Sequence, residues 1–200
     1  MRICIPYHKG NIGRAYNQAM IEAPRNEWIV LMDGDVLMLT PNWFDRLERV
    51  LASLDKGKVG LLTCVTNRTM GLCQQAMQWH LRSTAVDDIQ EHRRHAELVA
   101  GFHKLIDCTN AHETYGSLYG AFSGFFMATH SKAWKAAGGF EERKPQVRHV
   151  TIRGKGYHFT CNGFTGVDTA YYLDVCAAGY KTVVAPGLYC YHGRFTSGAC

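Results

Sequence analysis

Two carboxylates, Asp33 and Asp35, stand one residue apart within the apolar run from Trp28 to Leu39. An apolar run of this kind predicts a buried strand, in which an uncompensated charge is very costly. A cation would offset that cost, and Gly34 would let the backbone bend so that both carboxylates reach one ion. Hard oxygen ligands suit Mg²⁺ or Mn²⁺, which proteins commonly share with substrate phosphates. The alternative is a solvated Asp-Gly turn that joins two strands of a hairpin.

The residues after the first predicted strand are suited to hold a nucleotide, because ligands of an open α/β sheet bind beyond the carboxyl ends of its strands. Three residues stand there: Pro6, Tyr7 and His8. The ring of Tyr7 could supply the flat surface that a base needs. The helix that follows offers three polar side chains for the ribose and phosphates: Asn11, Arg14 and Asn17.

His192 and Asp168 are candidates in the second half of the chain. His192 follows the last predicted strand, so it is either a further ligand of the cation or a hydrogen-bonded structural residue. Asp168 stands where the loop 163–166 enters a predicted helix. It is either an acid that the helix dipole favours in the first turn or a general base at the mouth of a cleft.

Hydrophobic periodicity predicts one α/β domain, because strands and helices alternate along the first third of the chain. Strands are expected over residues 2–6, 27–33 and 58–65, with helices over 12–23 and 40–54, the second capped by Thr40 with Pro41 at its first position. The second half predicts a helix over about 88–105, an extended segment over 118–128, a short helix over 131–137, a hairpin over 148–160, a helix over 167–178 and a last strand over 181–185, before Pro186.

The composition favours a single packed domain and argues against a nucleic-acid partner. The 200 residues are 46% hydrophobic with a net charge of +5. The densest basic cluster, Arg93-Arg94-His95, lies between Glu91 and Glu97 in a helical segment, so it is expected to be a solvated helix face. A basic surface of this kind could still attract phosphorylated substrates or make a peripheral contact with an anionic membrane.

The eight cysteines include no C-x-x-C pair, which argues against a zinc site or a disulfide framework. Several lie within apolar runs, where a thiol behaves as a small hydrophobe. No apolar segment approaches the ~20 residues that span a bilayer. The first residues do not have the pattern of a signal peptide, so we expect reduced thiols and a cytoplasmic location.

Five motifs in order resemble those of family-2-type glycosyltransferases of the GT-A fold. The resemblance covers most of residues 1–65 and 118–193. Its first half consists of Ile5-Pro6-Tyr7, Asn11-Ile-Gly13 with Asn17, and the Asp-x-Asp motif in Leu31-Met-Asp33-Gly34-Asp35. Its second half consists of 123–140 with the Gly138-Gly139-Phe140 turn, and Val167-Asp168 followed by 178–186. In addition, His192 lies where many members have a histidine after the last strand.

This resemblance implies a single Rossmann-like GT-A domain with a mixed, mostly parallel sheet flanked by helices, with residues 1–66 as the nucleotide-binding half and 67–200 as the acceptor-side half. The activity implied is that of a metal-dependent hexosyltransferase. It would move a sugar, with inversion, from a UDP-linked donor to the hydroxyl of a glycan, a lipid-linked acceptor or a small molecule. Asp33 and Asp35, with Gly34 between them, would bind the metal–diphosphate, His192 would be a further ligand of Mn²⁺ or Mg²⁺, and Asp168 would be the catalytic base.

Two departures and two alternatives accompany the resemblance. The chain passes directly from Tyr7 to Asn11 without the extra strand and helix of most members, and Val167 stands where they carry a Glu. One alternative is a sugar-phosphate nucleotidyltransferase, although Gly10 to Arg14 is a poor version of its phosphate loop. The other is a non-catalytic nucleotide- or sugar-binding module in which the acids hold a structural ion.

Overall fold

The computed structural model describes residues 1–75, 88–118, 122–142, 145–163 and 166–193. The first half contains β1 (Arg2–Cys4), α1 (Ile12–Glu22), β2 (Trp28–Met32), β3 (Val36–Met38), α2 (Trp43–Ser53), β4 (Val59–Thr66) and a short 3₁₀ turn (Leu72–Gln74). The second half contains α3 (Ile89–Val99), β5 (Ile106–Asp107), α4 (Ala111–Tyr115), β6 (Phe126–His130), α5 (Ser131–Ala136), β7 (Gln146–Ile152), β8 (Lys155–Cys161), α6 (Val167–Ala177) and β9 (Lys181–His192).

Seven of these strands form one mixed sheet in the order β1-β2-β6-β4-β9-β3, with β5 also paired to β9. Strands β1, β2, β4 and β9 run in one direction, and β3, β5 and β6 run in the other. The predicted fold class, α/β with a mixed, mostly parallel sheet, is therefore confirmed. Parallel neighbours need crossover helices, and these cover the sheet.

Both faces of the sheet are buried, which explains why β2 is apolar at successive positions. Ile29 and Leu31 pack into one core with residues of α1, α3 and α6. Trp28 and Val30 point the other way and pack into a second core with α2. Because side chains alternate across a strand, a strand that is covered on both faces reads as a continuous apolar run. Within the described ranges, no helix has both the length and the apolar composition that crossing a bilayer requires.

The last strand does not end before Pro186, as the proline predicted, but continues to His192. Its pairing with β4 shifts register, since Cys64 faces Ala185 whereas Val65 faces Tyr189. The three residues between the two partners form a bulge, where a proline without an N–H is tolerated. The strand thereby gains a second half that reaches the carboxyl end of β2.

The residues after the Asp-Gly turn also differ from the prediction. The hairpin alternative for this turn is wrong, because β2 pairs with β1 and β6 whereas β3 pairs with β9. Thr40 does not cap α2; its hydroxyl accepts the backbone N–H of Tyr189 at 2.7 Å. Asn42, in a left-handed conformation, precedes the helix instead. This arrangement joins the start of α2 to the second half of β9.

The hairpin predicted over 148–160 is confirmed as β7 and β8, which form a separate two-stranded sheet. Arg153 and Gly154 both have positive φ, as a two-residue type I′ turn requires. Arg148 forms a bidentate ion pair with Asp174 of α6, with N–O distances of 2.7 and 2.5 Å. The hairpin is therefore anchored to the helix that carries Asp168.

The basic cluster and the cysteines are only partly as expected. Arg93 and Arg94 are exposed, but His95 is buried, so it does not belong to a solvated helix face.

The seven cysteines of the described residues are free thiols. Cys64 and Cys190 lie side by side in the core, with their sulfurs 3.7 Å apart, and burial raises the pKa of Cys64.

We expect the change Gly187→Ala to lower the free energy of unfolding by about 1–3 kcal/mol, because it overpacks the bulge in β9. A Cβ at this position would lie 2.2 Å from the carbonyl oxygen of Phe102. Gly101→Ala is the control, since no atom lies within 4 Å of a Cβ built there and its φ is not positive. Urea unfolding of both variants tests the packing; equal stability of the two would contradict it.

Candidate active site

The turn after β2 brings both acids of the Asp-Gly-Asp motif to the second half of β9. The backbone N–H of Val36 donates to the carbonyl oxygen of Asp33 at 3.2 Å, which closes the turn. The next strand is antiparallel to β9, so Val36 faces His192. The N–H of Gly193 then donates to the carbonyl oxygen of Asp35 at 2.9 Å. Strand pairing thus brings Asp35 into contact with Gly193, which lies 158 positions later in the sequence.

Asp33, Asp35 and His192 form a cluster with the composition of a cation site. One ligand atom from each residue lies within 4.8 Å of the other two. Nε2 of His192 lies 3.4 Å from Oδ1 of Asp35, and both side chains keep about a quarter or less of their surface exposed, 21% and 27%. All three residues were predicted as metal ligands from the sequence, and the structure brings them together.

The imidazole of His192 is oriented by residues that follow β4. Its Nδ1 lies 2.9 Å from the carbonyl oxygen of Arg68. A carbonyl only accepts, so Nδ1 carries a proton, and in the neutral ring Nε2 presents its lone pair, the arrangement that metal-binding histidines use. Asn67 fixes the backbone on both sides, accepting from the N–H of His192 at 2.7 Å and donating to its carbonyl oxygen at 3.4 Å.

This tautomer makes the cluster suitable for a cation. When the imidazole is neutral, a lone pair on Nε2 faces the carboxylate of Asp35, and two acceptors at 3.4 Å repel each other unless a positive charge lies with them. Two carboxylates and one imidazole are ligands that Mn²⁺ accepts, and the carboxylates also suit Mg²⁺. The residues present therefore fit the cation that the motif predicts.

Without a cation, the charged form of the Asp33 carboxyl group is unfavourable, and its pKa is raised. Burial, together with the neighbouring charge of Asp35, raises its pKa to about 6. The positive charge of His192, when it is protonated, and the hydroxyl of Tyr16, which donates to Oδ1 of Asp33 at 3.3 Å, act in the opposite direction. A bound cation would remove this cost, because it favours the charged carboxylate.

Asp33 also lines a cleft of about 290 Å³ whose other wall carries Asp168. Burial raises the pKa of Asp168, although the side chain keeps part of its surface exposed in the cleft. The N–H of Gly124 donates to its Oδ2 and the N–H of Thr169 to its Oδ1, both at 2.8 Å. These two bonds hold the carboxylate in place and leave each oxygen a further lone pair.

Three residues that hold Asp33, Asp168 or His192 in place were not predicted from the sequence as functional. Tyr16 has the periodicity of a buried helix face, which gives no sign that its hydroxyl contacts Asp33. Gly124 approaches Asp168 so closely that a Cβ on it would lie 2.7 Å from Cβ of Asp168. Asn67 could have been found, because it is a polar residue directly after an apolar strand.

The predicted nucleotide-binding residues divide into two groups. Four of the residues that line a cleft of about 460 Å³ between the end of β1 and α1 are predicted ones: Pro6, Tyr7, His8 and Arg14. The ring of Tyr7 is 86% exposed, so its face is free to stack on a planar ligand. These residues adjoin the cluster of Asp33, Asp35 and His192 in the fold, since β1 pairs with β2.

The other two predicted donors are engaged by the protein itself. Oδ1 of Asn11 accepts the N–H of Arg14 at 2.9 Å and so caps α1. The amide of Asn17 donates to the carbonyl oxygen of Phe140 at 2.8 Å, and its oxygen accepts from Nε1 of Trp134 at 3.0 Å. Asn17 thereby joins α1 to the Gly-Gly-Phe turn, and the amide of Asn11 donates to the carbonyl oxygen of Glu142 at 3.0 Å. Neither side chain is part of the proposed nucleotide site.

Gly34 does not have the special conformation that the motif suggested. Its φ is not positive, and a Cβ on it would meet only the side chain of Ile5, at 3.8 Å. The turn itself, closed by the bond from Val36 to Asp33, makes the acids converge. A glycine is therefore not required here by the fold, and its exposed backbone remains open to a ligand.

We expect Asp33→Asn to stabilise the metal-free protein by about 1 kcal/mol at pH 8, after allowing for solvent screening. The pKa of Asp33 is raised to about 6 in the folded state. The folded state therefore binds a proton that the unfolded chain has lost, so stability falls as pH rises from about 4 to about 6. The amide has no charge to bury, so the gain should be absent below about pH 4. Urea unfolding in EDTA at both pH values measures it; an asparagine variant that is less stable at pH 8 would refute the assignment.

Comparison with known proteins does not assign the chain to a family: no family model, curated protein or solved structure matches it. The chemistry must therefore be argued from the site. A cation held by two carboxylates and an imidazole can bind a diphosphate, and a carboxylate with a raised pKa across the same cleft can accept a proton.

Proposed function

We propose that this protein is a metal-dependent glycosyltransferase of the GT-A type, which transfers a hexose from a UDP-linked donor to an acceptor hydroxyl. The observation that carries the proposal is the position of Asp33. Its carboxylate belongs to the cluster with Asp35 and His192 and also lines the cleft that contains Asp168. A diphosphate on the cluster would therefore direct its sugar into the cleft, beside a base.

Each end of such a donor has a matching group in the chain. Asp35 and His192 would hold the ion, and Asp33 would be shared between the ion and the hydroxyl of Tyr16. Bound Mn²⁺ or Mg²⁺ would neutralise the charge on the leaving diphosphate. The exposed ring of Tyr7, next to the guanidinium of Arg14 in the cleft beside β1, is the proposed surface for the base.

Asp168 has the properties of a general base for this reaction. Its raised pKa makes it a stronger base than an ordinary carboxylate, while the N–H groups of Gly124 and Thr169 keep it oriented. In the proposed step the acceptor oxygen forms a bond to the anomeric carbon as the bond from that carbon to the diphosphate oxygen breaks. The hydroxyl proton passes to Asp168. Attack opposite the leaving group inverts the anomeric configuration.

Product analysis tests this proposal against its two alternatives. The protein would be incubated with Mn²⁺ and a panel of UDP-sugars, with water or simple glycosides as acceptors, and the phosphorus products measured. We expect UDP to be released. Pyrophosphate released from UTP and a sugar phosphate would instead establish a nucleotidyltransferase. Saturable UDP-sugar binding without turnover on any acceptor would establish a binding module.

A further inference from the structure

The hairpin of β7 and β8 has an outward face that the proposed reaction does not use. Side chains alternate along each strand, and the outward set is exposed throughout: Val147, His149, Thr151, Gly156, His158 and Thr160. In the described part of the chain this sheet has only these two strands. A two-stranded sheet is marginally stable by itself, so any ligand that bridges the strands would stabilise it.

His149 and His158 stand directly opposite each other on this face. Their ring centroids are 6.3 Å apart and the ring planes are inclined at 48°. Zinc–nitrogen bonds of about 2.0–2.1 Å at a tetrahedral angle place the centroids of two rings that share one ion roughly 5–5.5 Å apart. Rotation of the two exposed rings by about 1 Å would therefore bring a nitrogen of each to one ion. Among the described residues, neither ring makes a hydrogen bond or an ion pair, so both have nitrogens available.

The neighbouring pair on the same face leaves room for the rest of a coordination sphere. Thr151 stands opposite Gly156, which has no side chain, and no atom lies within 4 Å of a Cβ built on this glycine. The resulting depression, about 340 Å³ in volume, is lined by both histidines and by Thr151. The hydroxyl of Thr151 and water can therefore complete the site beside the two rings.

We propose that His149 and His158 form a second metal site, which takes a borderline divalent cation of the Zn²⁺, Ni²⁺ or Cu²⁺ class. Imidazole suits these ions, whereas Mg²⁺ and Mn²⁺ prefer the oxygen ligands of the Asp33 cluster. The outward face of the hairpin carries no carboxylate, so the two sites differ in the ions that they select. The ion ties β7 to β8 at the middle of the hairpin. This inference does not depend on the proposed transferase activity.

Zinc titration of the full-length chain tests the site. The probe is ZnCl₂ added to protein with ¹⁵N-labelled histidine, and the readout is the imidazole signals of His149 and His158. We expect both rings to respond with the same midpoint. His158→Gln should raise the Zn²⁺ concentration that His149 needs by at least about tenfold, and His149→Gln should do the same for His158. Both residues are exposed, so neither change should disturb folding.

His103→Gln is the matched control, because it removes an exposed histidine that is not in the hairpin. It should leave both midpoints unchanged. Zn²⁺ should also slow amide hydrogen exchange in β7 and β8 of the wild type but not of His158→Gln. The proposal is overturned if the two rings titrate independently, or if His149 responds to Zn²⁺ equally well without His158.

Discussion

Asp35→Ala is expected to lower the rate of UDP release from a UDP-sugar by about three orders of magnitude, because it removes a ligand from the proposed metal site. Oδ1 of Asp35 lies 3.4 Å from Nε2 of His192. Without Asp35 the ion would lose a charged ligand, and His192 would lose the carboxylate that lies beside it. A bound cation is worth several kcal/mol at a departing diphosphate. Initial rates at saturating donor and Mn²⁺ measure the effect.

Asp45→Ala is the control for this change, since it removes an exposed carboxylate from α2 and leaves the cluster intact. Its rate should stay within about twofold of wild type, as expected for a surface substitution. A rate for Asp35→Ala as high as that of the control would show that the cluster of Asp33, Asp35 and His192 takes no part in the reaction. Unfolding of both variants in urea separates a loss of activity from a loss of fold.

Asp168→Asn is expected to lower turnover by about 10²–10⁴-fold while donor affinity changes little, since a positioned general base contributes this much. The amide is isosteric, so the cleft keeps its shape, but it cannot accept the acceptor's proton. In the wild type, the rate should fall as pH drops through the raised pKa of Asp168, because the protonated carboxyl cannot act as a base. The variant should lack this acid limb. Rate–pH profiles of both proteins measure it.

Asp174→Asn serves as the control on the same helix. It removes a carboxylate of α6 that pairs with Arg148 and has no place in the cleft. It is expected to destabilise the hairpin anchor and to leave the turnover of the folded enzyme unchanged. If Asp168→Asn and Asp174→Asn lower turnover equally, Asp168 acts through the fold and not as the base.

The local elements were predictable from the sequence because their signals are local. The all-apolar β2, the helix after Asn11 and the hairpin predicted over 148–160 lie where periodicity and turn residues indicated. Asp33, Asp35 and His192 were also predicted as one site, and the structure brings them together. The rule that ligands gather beyond strand ends therefore sufficed to group these three candidate residues.

What the sequence did not predict depends on contacts between distant residues. The strand β9 continues past Pro186 because a bulge forms against β4. Pro186 lies in this bulge, where no ladder hydrogen bond needs its missing N–H, and the pairing that forms the bulge is not visible in the sequence. The polar amide of Asn17 suits a residue that binds the sugar donor, yet it donates to the carbonyl oxygen of Phe140, more than a hundred positions away. The contact of Tyr16 with Asp33 is similarly invisible to periodicity, which records burial and not hydrogen bonding.

The two metal sites, one proposed for catalysis and one for the hairpin, differ in their donor atoms. The cluster at β2 offers two carboxylates and one imidazole, whereas the hairpin offers two imidazoles. We therefore expect Mn²⁺ to act at the first site without affecting the second. The ion pair between Arg148 and Asp174 connects the hairpin to α6, the helix that carries Asp168.

Thermal unfolding with UDP and Mn²⁺, added separately and together, tests the central claim most directly. If Asp33, Asp35 and His192 hold a metal–diphosphate, UDP should raise the melting temperature only when Mn²⁺ is present. At a hundredfold excess over Kd the stabilisation is about 2.7 kcal/mol, which corresponds to roughly 5–10 °C for a domain of this size. Asp35→Ala should abolish the shift, and Asp45→Ala should keep it. An equal shift from UDP in EDTA, or a full shift in Asp35→Ala, would contradict the account.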